Sequence, residues 1–281
     1  MARAAVPGRL SWLAATVREV RTETASARTL VLDVPGWPGH LAGQHVTARL
    51  TAADGYSASR DYSVASAPAA GWLELTVQRV ADGEVSSYLD DTARPGDQLE
   101  VRGPIGGWFA WQPDDPRPLL LLAGGSGIVP LMSVIRTHRE VGSKVPLQLI
   151  YSARTPADVI YAPELSERVR VSPVTSATFL FTRMTRWSRT PARPDAEITV
   201  PAGEPGASDG EPGQPRVSRP PLRGYAGRLS AEVLAKTALP PEFNPAVFAC
   251  GPSGFVEAAS RLLLAAGYPA ASIKTERFGP N

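Results

Sequence analysis

The first hundred residues carry the short hydrophobic runs that are typical of a β domain. Runs rich in β-branched or aromatic residues alternate with turn signals such as Arg94-Pro95-Gly96. Within 72–80, WLELTVQRV, hydrophobic and polar positions alternate with a period of two, as in a half-buried strand. The pattern predicts a six-stranded antiparallel barrel with one brief helix, Ser86–Asp91. The predicted strands are Trp12–Val20, Arg28–Val34, Gln44–Thr51, Arg60–Ser66, Trp72–Val80 and Asp97–Pro104.

From Pro118 onwards, apolar runs alternate with helical patterns, which is typical of a parallel sheet covered by helices on both faces. Ser230 is a predicted helix N-cap, and Gly267 is a predicted helix end. The pattern predicts a five-stranded sheet whose strands are Pro118–Ala123, Leu147–Ser152, Ala177–Thr182, Ala246–Ala249 and Ser272–Glu276. The predicted helices are Ile128–Val141, Pro156–Arg168, Ser230–Ala238 and Ser253–Ala266.

Closely spaced prolines mark the boundary between the two patterns. We therefore predict one domain over 1–112 and a second over 118–281. Residues 184–221 are rich in proline and glycine and poor in large apolar side chains, so we expect a flexible insertion there. That insertion contains several arginines, which would suit either a solvated loop or a surface that steers an acidic partner.

Composition narrows the function classes. A length of 281 residues suits two domains, and a net charge of +2 does not favour nucleic acid as the main partner. The single cysteine excludes, within these residues, a disulfide framework or an iron–sulfur or zinc site held by several thiolates. The histidines show no metal-ligand spacing, and we expect no metal. Apolar runs are too short for a membrane span, and residues 1–10 lack the apolar core of a signal peptide, so we expect a cytoplasmic protein. We also expect it to be a monomer.

The most informative motif is a glycine run between an apolar strand and a helix. Gly124, Gly125 and Gly127 let the backbone approach a ligand closely, and the helix that follows presents free N–H groups that suit a pyrophosphate. The spacing is not Gly-x-Gly-x-x-Gly, and a simple tight turn is the alternative. Cys250-Gly251-Pro252 also follows a strand, at the sheet edge where ligands bind. The alternative for Cys250 is a buried core cysteine.

Three motifs in the first half suit phosphate or ring binding. Arg60 and Tyr62 share one face of a strand, where they could hold a phosphate and a flat ring, or simply form an exposed strand face. Gly83 and Ser86 stand at the start of the short helix, where they could form a phosphate site or simply cap the helix. The run Gly103-Pro104-Ile105-Gly106 supplies a glycine loop, or a bend that closes the barrel.

In order along the chain, these motifs resemble those of the ferredoxin–NADP⁺ reductase-like flavoproteins. The resemblance covers almost the whole chain apart from the insertion. It rests on Arg60-x-Tyr62-Ser63, Gly83-x-Val85-Ser86, Gly103-Pro-x-Gly106, Gly124-Gly-x-Gly127-Ile-x-Pro130, Cys250-Gly-Pro252 and Glu276-Arg277-Phe278-Gly279. It implies an FAD-binding barrel followed by an NAD(P)-binding α/β domain, with the two rings meeting in a cleft between them.

The resemblance also implies residue roles. Arg60 is expected to hold the flavin pyrophosphate, Tyr62 to pack on the isoalloxazine, and Ser63 to lie near flavin N5. Gly83, Val85 and Ser86 are expected to contact the flavin phosphates. Gly103 and Gly106 are expected to leave room for the adenosine half. The glycines at 124, 125 and 127, with Gly251 and Pro252, are expected to hold the nicotinamide dinucleotide. Cys250 and Glu276 would flank the nicotinamide, and Phe278 would cover part of the flavin.

The implied activity is hydride transfer from NAD(P)H to FAD, with electrons leaving to a separate redox protein such as a ferredoxin or an oxygenase component. Two alternatives stay open: a flavin reductase or NAD(P)H oxidase with small-molecule acceptors, and a non-catalytic nucleotide-binding subunit. Arg154 and the Thr182-Arg183 pair lie at predicted strand ends, and the pair favours NADPH over NADH. The alternative is a solvated loop, with Arg154 paired to Asp158.

Overall fold

The computed structural model describes residues 10–52, 54–80, 83–183, 198–200 and 222–279. The chain divides into two compact units. The first contains residues up to Thr22 together with Ser26–Asp114 and Val129–Gly142. The second contains Glu23–Ala25, Asp115–Ile128 and the chain from Ser143 onwards. The segment 129–142 therefore belongs to the first unit, although it follows the first strand of the second.

The first unit is built on a six-stranded antiparallel sheet, as predicted. Its edge strands, β4 and β5, meet at a bridge between Val64 and Leu75 rather than along a full ladder, so the predicted barrel is open. The order across the sheet is β4-β3-β6-β1-β2-β5. The strands are β1 (Trp12–Thr24), β2 (Ala27–Asp33), β3 (His45–Thr51), β4 (Ser57–Ser63), β5 (Leu73–Gln78) and β6 (Gln98–Ile105).

Two helices accompany this sheet: α1 (Glu84–Asp91), which begins two residues before the predicted start, and α2 (Ile128–Glu140). Leu73, Leu75 and Val77 on one face of β5 are fully buried in the core. The alternate positions, Glu74 and Thr76, are buried as well, which the period-two pattern of β5 does not predict. The strand therefore has covered side chains on both faces.

The second unit is a seven-stranded sheet with helices, in the order β10-β11-β9-β8-β7-β12-β13. Neighbouring strands run parallel except β10, which is antiparallel to β11. The strands are β7 (Leu119–Gly124), β8 (Leu147–Ala153), β9 (Thr175–Phe181), β10 (Ile198–Val200), β11 (Leu222–Ala226), β12 (Ala246–Pro252) and β13 (Ile273–Phe278). The helices are α3 (Ala162–Val171), α4 (Ala231–Thr237) and α5 (Ser253–Ala265).

The predicted α/β fold is confirmed, but its strand count of five is too low. Strand β11 escaped prediction because Gly224 interrupts a short run, and glycine weakens a strand signal. A Cβ on Gly224 would lie 2.6 Å from the Phe181 ring, so this strand needs glycine to pair with β9. Strand β10 falls inside the predicted insertion, 184–221, whose other residues lie outside the described part of the chain.

One predicted helix is also corrected. The segment 156–168 was predicted as a single helix, but a 3₁₀ turn at Pro156–Asp158 precedes α3. Tyr161, the residue before α3, has a left-handed φ of 59°, which a continuous right-handed helix cannot contain. By contrast, the predicted cap of α4 is confirmed, because the Ser230 side chain accepts a hydrogen bond from the Val233 amide.

Candidate functional site

Two glycine turns of the second unit pack backbone against backbone. One leads from β7 into α2 and the other from β12 into α5. A Cβ on Gly127 would lie 2.1 Å from the Cys250 carbonyl oxygen and 2.7 Å from the Gly251 nitrogen. A Cβ on Gly251 would lie 3.1 Å from the Gly124 Cα atom. Side chains are therefore excluded where the two turns meet.

The first of these turns is shaped for an anion. Gly125 has a left-handed φ of 53°, and a 3₁₀ turn over Gly125–Gly127 leads directly into the 13-residue helix α2. The turn lies at the carboxyl end of a parallel strand, where ligands of open α/β sheets bind. A glycine-rich backbone turn that leads into a helix N-terminus fits a dinucleotide pyrophosphate.

Cys250 and Glu276 lie side by side on neighbouring strands. They are register partners of β12 and β13, so parallel pairing brings together two residues that are far apart in sequence. The Cys250 residue is 1% exposed. Its burial, and then the nearby Glu276 carboxyl, raise the pKa of the thiol well above its usual value. Cys250 therefore stays protonated, which disfavours a nucleophilic role.

Glu276 is a carboxyl group with an unusual proton affinity. Burial raises the pKa of Glu276 to about 7. Near neutral pH the side chain is therefore divided between its protonated and ionised forms. It can hold a proton at a pH at which an ordinary glutamate is fully ionised.

The same strand pair carries two further predicted residues. Phe278 is the register partner of Pro252 and is 37% exposed at the end of β13. Its ring is therefore available to a ligand at the carboxyl edge of the sheet.

Strand β4 in the first unit positions Arg60, Tyr62 and Ser63. The Arg60 guanidinium is exposed and donates to the Ser59 carbonyl, while Tyr62 is half-buried against the core. Burial raises the pKa of Tyr62 to about 12, and the nearby Arg60 charge acts in the opposite direction. The strand thus presents a neutral ring close to an exposed cation, which suits a flat ligand that carries phosphate.

Ser63 has a neighbour that the sequence did not indicate. His45 is its register partner across β3 and β4, and a Cβ on Gly106 would lie 3.4 Å from the His45 ring. Burial lowers the pKa of His45, partly opposed by Asp61. Nothing in the sequence links His45 to Ser63, because the two become neighbours only through strand pairing.

The turn before α1 is tied together by Ser86. Its hydroxyl accepts a hydrogen bond from the Val80 amide and donates one to the Gly83 carbonyl, each at 3.3 Å. The Val85 side chain is buried in the core. These side chains face their own unit, so the groups that remain for an anion are the first backbone N–H groups of the helix.

Two glycines shape the end of β6 and the loop that follows it. The Gly103–Pro104 peptide is cis, and Gly106 has a left-handed φ of 88°. A Cβ on Gly103 would lie 2.9 Å from the Val46 side chain. The side-chain amide of Gln44 donates to the Gly106 carbonyl, which fixes the loop against the start of β3.

Arg154 and Arg183 are neighbours at the ends of β8 and β9. The Arg183 amide donates to the Arg154 carbonyl at 2.9 Å, and the Thr182 amide donates to the Ala153 carbonyl at 3.0 Å. Both arginine side chains are exposed. Asp158 caps the 3₁₀ turn that follows, since its carboxylate accepts from the Thr155 amide and hydroxyl. Two cations therefore stand at this corner of the sheet.

The described residues contain neither a membrane-spanning helix nor a cluster of metal-binding side chains. Over the described ranges, no helix is long and apolar enough to cross a membrane. Within the same part of the chain, no group of three or more His, Cys, Asp or Glu side chains is arranged to hold a metal ion.

Comparison with known proteins identifies both halves. Residues 14–109 match the oxidoreductase FAD-binding domain family, and residues 121–200 match the oxidoreductase NAD-binding domain family. The chain belongs to the ferredoxin–NADP⁺ reductase-like flavoproteins. The family resemblance read from the motifs is thereby confirmed, as are the FAD-binding and NAD-binding halves.

Individual members of this family show how far the similarity extends. The chain is 30% identical over 93% of its length to the glycine betaine monooxygenase reductase subunit of Chromohalobacter salexigens. It is also 30% identical, over 93% of its length, to the ferredoxin reductase component of 3-ketosteroid-9-alpha-monooxygenase of Mycobacterium tuberculosis. The alignments cover 62% and 64% of these relatives, so the flavoprotein spans less than two thirds of their length.

A solved structure shows the same fold. The ferredoxin NADP⁺ reductase of Neisseria gonorrhoeae, solved with FAD and NADP, superimposes with a TM-score of 0.70. The match covers 95% of this chain and 98% of that one, at 22% identity.

Proposed function

We propose that this flavoprotein oxidises NAD(P)H, passes the hydride to bound FAD, and delivers the electrons to a separate acceptor such as a ferredoxin or an oxygenase component. The observation that carries the proposal is the presence of an FAD-binding and an NAD-binding domain in one chain. The names of the relatives, which are reductase components of monooxygenases, support the kind of acceptor. Cys250 is the sole cysteine, so an acceptor iron–sulfur cluster held by cysteines lies outside these 281 residues.

The first unit holds the flavin in this proposal. FAD supplies the redox chemistry when bound, and the protein supplies binding and orientation. The exposed Arg60 guanidinium and the N–H groups at the start of α1, from Glu84 to Ser86, hold the pyrophosphate, while the Gly83 amide donates to the Val80 carbonyl. The Tyr62 ring packs on the isoalloxazine, and the Ser63 hydroxyl lies near flavin N5. The loop at Gly103 and Gly106 leaves room for the adenosine half.

The second unit holds the coenzyme. The turn at Gly124, Gly125 and Gly127 takes its pyrophosphate, supported by the turn at Gly251 and Pro252. The protonated Cys250 thiol and the Glu276 carboxyl flank the nicotinamide and limit the access of water. Because the pKa of Glu276 is about 7, this side chain can keep a proton beside the ring at neutral pH. We assign Phe278 a contact with part of the flavin, as the family resemblance implies.

Anaerobic reduction tests the proposal directly. The purified protein is expected to be yellow, to contain FAD, and to bleach when NADPH or NADH is added. A protein that binds no flavin, or whose flavin NAD(P)H does not reduce, would contradict it and favour a non-catalytic nucleotide-binding subunit. The acceptor is tested by comparing the reduction of an added ferredoxin with the reduction of free flavin and oxygen. Faster turnover with the small molecules would favour a flavin reductase or an NAD(P)H oxidase.

The cationic corner of the sheet supports a preference for NADPH. Arg183, beside Arg154 and Thr182, is placed to pair with a 2′-phosphate, the group that distinguishes NADPH from NADH. Arg183→Ala is expected to raise KM for NADPH by about tenfold, the loss of one charged contact, and to change KM for NADH little. Steady-state kinetics with both coenzymes measure this. Equal changes for the two coenzymes would refute the assignment.

We also place the protein in the cytoplasm, where NAD(P)H is available, and expect it to act as a monomer. Cell fractionation tests the first expectation, and size-exclusion chromatography with light scattering tests the second. A membrane-bound fraction or a stable dimer would contradict them.

A further inference from the structure

A buried ion pair joins helix α2 to strand β5 in the first unit. Arg136 Nη1 lies 2.5 Å from Glu74 Oε2, and their side chains are 11% and 6% exposed. Arg21 and Trp72 both donate to the other Glu74 oxygen at 3.1 Å. Burial raises the pKa of Glu74, but Arg136, Trp72 and Arg21 together outweigh it, so this pKa lies below its usual value. Burying such a pair carries a large desolvation penalty, which makes stability alone a weak reason for it.

The same helix holds the backbone that follows Ser63. Arg136 Nη1 donates to the Ala65 carbonyl at 3.0 Å, and the Ser133 hydroxyl donates to the Ser66 carbonyl at 2.7 Å. His40 Nε2 lies 3.0 Å from the Ser66 carbonyl oxygen. From the other side, the Ala65 amide donates to the Glu74 carbonyl at 2.7 Å. We call Glu74, Ser133 and Arg136 the α2–β5 network.

The network lies close in sequence both to Ser63 and to the Gly125–Gly127 turn. The two carbonyls that it holds come two and three residues after Ser63. Helix α2, which supplies Ser133 and Arg136, begins at the residue after the Gly125–Gly127 turn. A change in how α2 packs on β5 therefore shifts the backbone that follows β4 relative to this helix.

We propose that the α2–β5 network is a positioning network for hydride transfer, which fixes the backbone after Ser63 against α2, the helix that follows the Gly125–Gly127 turn. The proposal rests on the proposed function and adds Glu74, Ser133 and Arg136 to it as positioning residues. The network sets the geometry of the reacting rings rather than the affinity for either cofactor. A charged, directional contact suits this role better than apolar packing, because it specifies one arrangement.

The test compares Arg136→Met and Glu74→Gln with the wild type as FAD-loaded proteins. Anaerobic stopped-flow measurements give the limiting rate of flavin reduction at saturating NADPH, and dithionite gives a reduction rate that requires no coenzyme. We expect the limiting NADPH rate of Arg136→Met to fall roughly tenfold to a hundredfold, as for a misplacement of about 1 Å. FAD content, the dissociation constant for NADPH and the dithionite rate should stay near wild type. Arg136→Lys, which keeps the charge, should recover part of the rate.

Arg49→Met is the matched control. It removes a two-hydrogen-bond pair with Glu100 that links β3 and β6 of the same sheet. Because this pair is partly exposed, with side chains 30% and 37% accessible, the control should change the thermal unfolding temperature little and should not slow flavin reduction. An Arg136→Met protein with a lower unfolding temperature but an unchanged limiting rate would overturn the proposal and leave the pair a structural role.

Ser133→Ala covers the case in which the charged variants do not fold. It removes one hydroxyl and its bond to Ser66, and we expect a severalfold slower limiting rate. An unchanged rate in this variant would equally overturn the proposal. If NAD(P)H does not reduce the wild-type protein, that result would instead contradict the proposed function. It would then also contradict the positioning role of the network.

Discussion

Cys250 is buried in the core and lies beside the proposed coenzyme site. Its side chain is buried among core residues, in agreement with the alternative interpretation of Cys250 as a core cysteine. Its carbonyl oxygen meanwhile packs against Gly127, and Glu276 is its partner on β13. Burial keeps the thiol protonated, so the expected contribution of Cys250 is shape rather than nucleophilic chemistry.

Ser63 is the residue whose hydroxyl we assign to flavin N5. Ser63→Ala is expected to slow FAD reduction by NADPH roughly tenfold to a thousandfold, the range lost with a single stabilising donor. FAD should stay bound, because Arg60, Tyr62 and the start of α1 are intact. Single-turnover stopped-flow absorbance measures the rate. Ser59→Ala, at an exposed position of the same strand, is the control, and reduction of Ser63→Ala at the wild-type rate would remove Ser63 from the mechanism.

Glu276 gives the stability of the protein a pH dependence. A glutamate in the unfolded chain ionises near 4.5, whereas the folded pKa is about 7. Between these values the folded protein binds more protons than the unfolded chain, so the contribution of Glu276 is present below pH 4.5 and lost as pH rises through 7. Glu276→Gln should remove this loss. The free energy of unfolding of the variant, taken relative to that of the wild type at the same pH, should increase by roughly 1–3 kcal/mol from pH 4.5 to pH 8.

Urea unfolding at both pH values, without nicotinamide coenzyme, measures that difference. The wild type serves as the reference at each pH, which cancels the other titrating groups. A free-energy difference between variant and wild type that does not change with pH would contradict the raised pKa.

Among the elements, the paired glycine turns depend most on the absence of side chains. Gly127→Ala would bring a methyl group 2.1 Å from the Cys250 carbonyl oxygen, so the two turns must separate. We expect a loss of roughly 1–3 kcal/mol in the free energy of unfolding and weaker NADPH binding. Thermal unfolding and coenzyme titration measure the two effects.

Gly254→Ala is the matched control for that substitution. A Cβ at Gly254, in the first turn of α5, meets no atom within 4 Å. The unfolding temperature should therefore stay the same or rise slightly, because alanine favours a helix. Equal destabilisation by the two substitutions would contradict the close packing of the turns.

The elements also show where sequence patterns succeed. The uninterrupted apolar run of β7 and the alternation in β5 were both recognised, because each reports local periodicity. Strand β11 was not recognised, since Gly224 serves a contact with Phe181 that is distant in sequence. The burial of Glu74 likewise depends on Arg136, which lies 62 residues away.

For the whole molecule, cofactor binding and folding are linked. A ligand that binds the folded state alone stabilises it by about 2.7 kcal/mol at one hundred times its dissociation constant. Removal of FAD should therefore lower the unfolding temperature, and added FAD should restore it. Flavin mononucleotide, which lacks the adenosine half, should restore it less. Equal recovery with both flavins would contradict the role assigned to the Gly103 and Gly106 loop.

The sequence by itself determined the fold class, the order of the two cofactor-binding halves and the family motifs, because hydrophobic periodicity and glycine turns are local properties of the chain. Tertiary structure alone decided which residues became neighbours. It paired Ser63 with His45 and Cys250 with Glu276, and it buried Glu74 against Arg136. Strand pairing and helix packing join positions that are tens of residues apart, and no local pattern records which of them will meet.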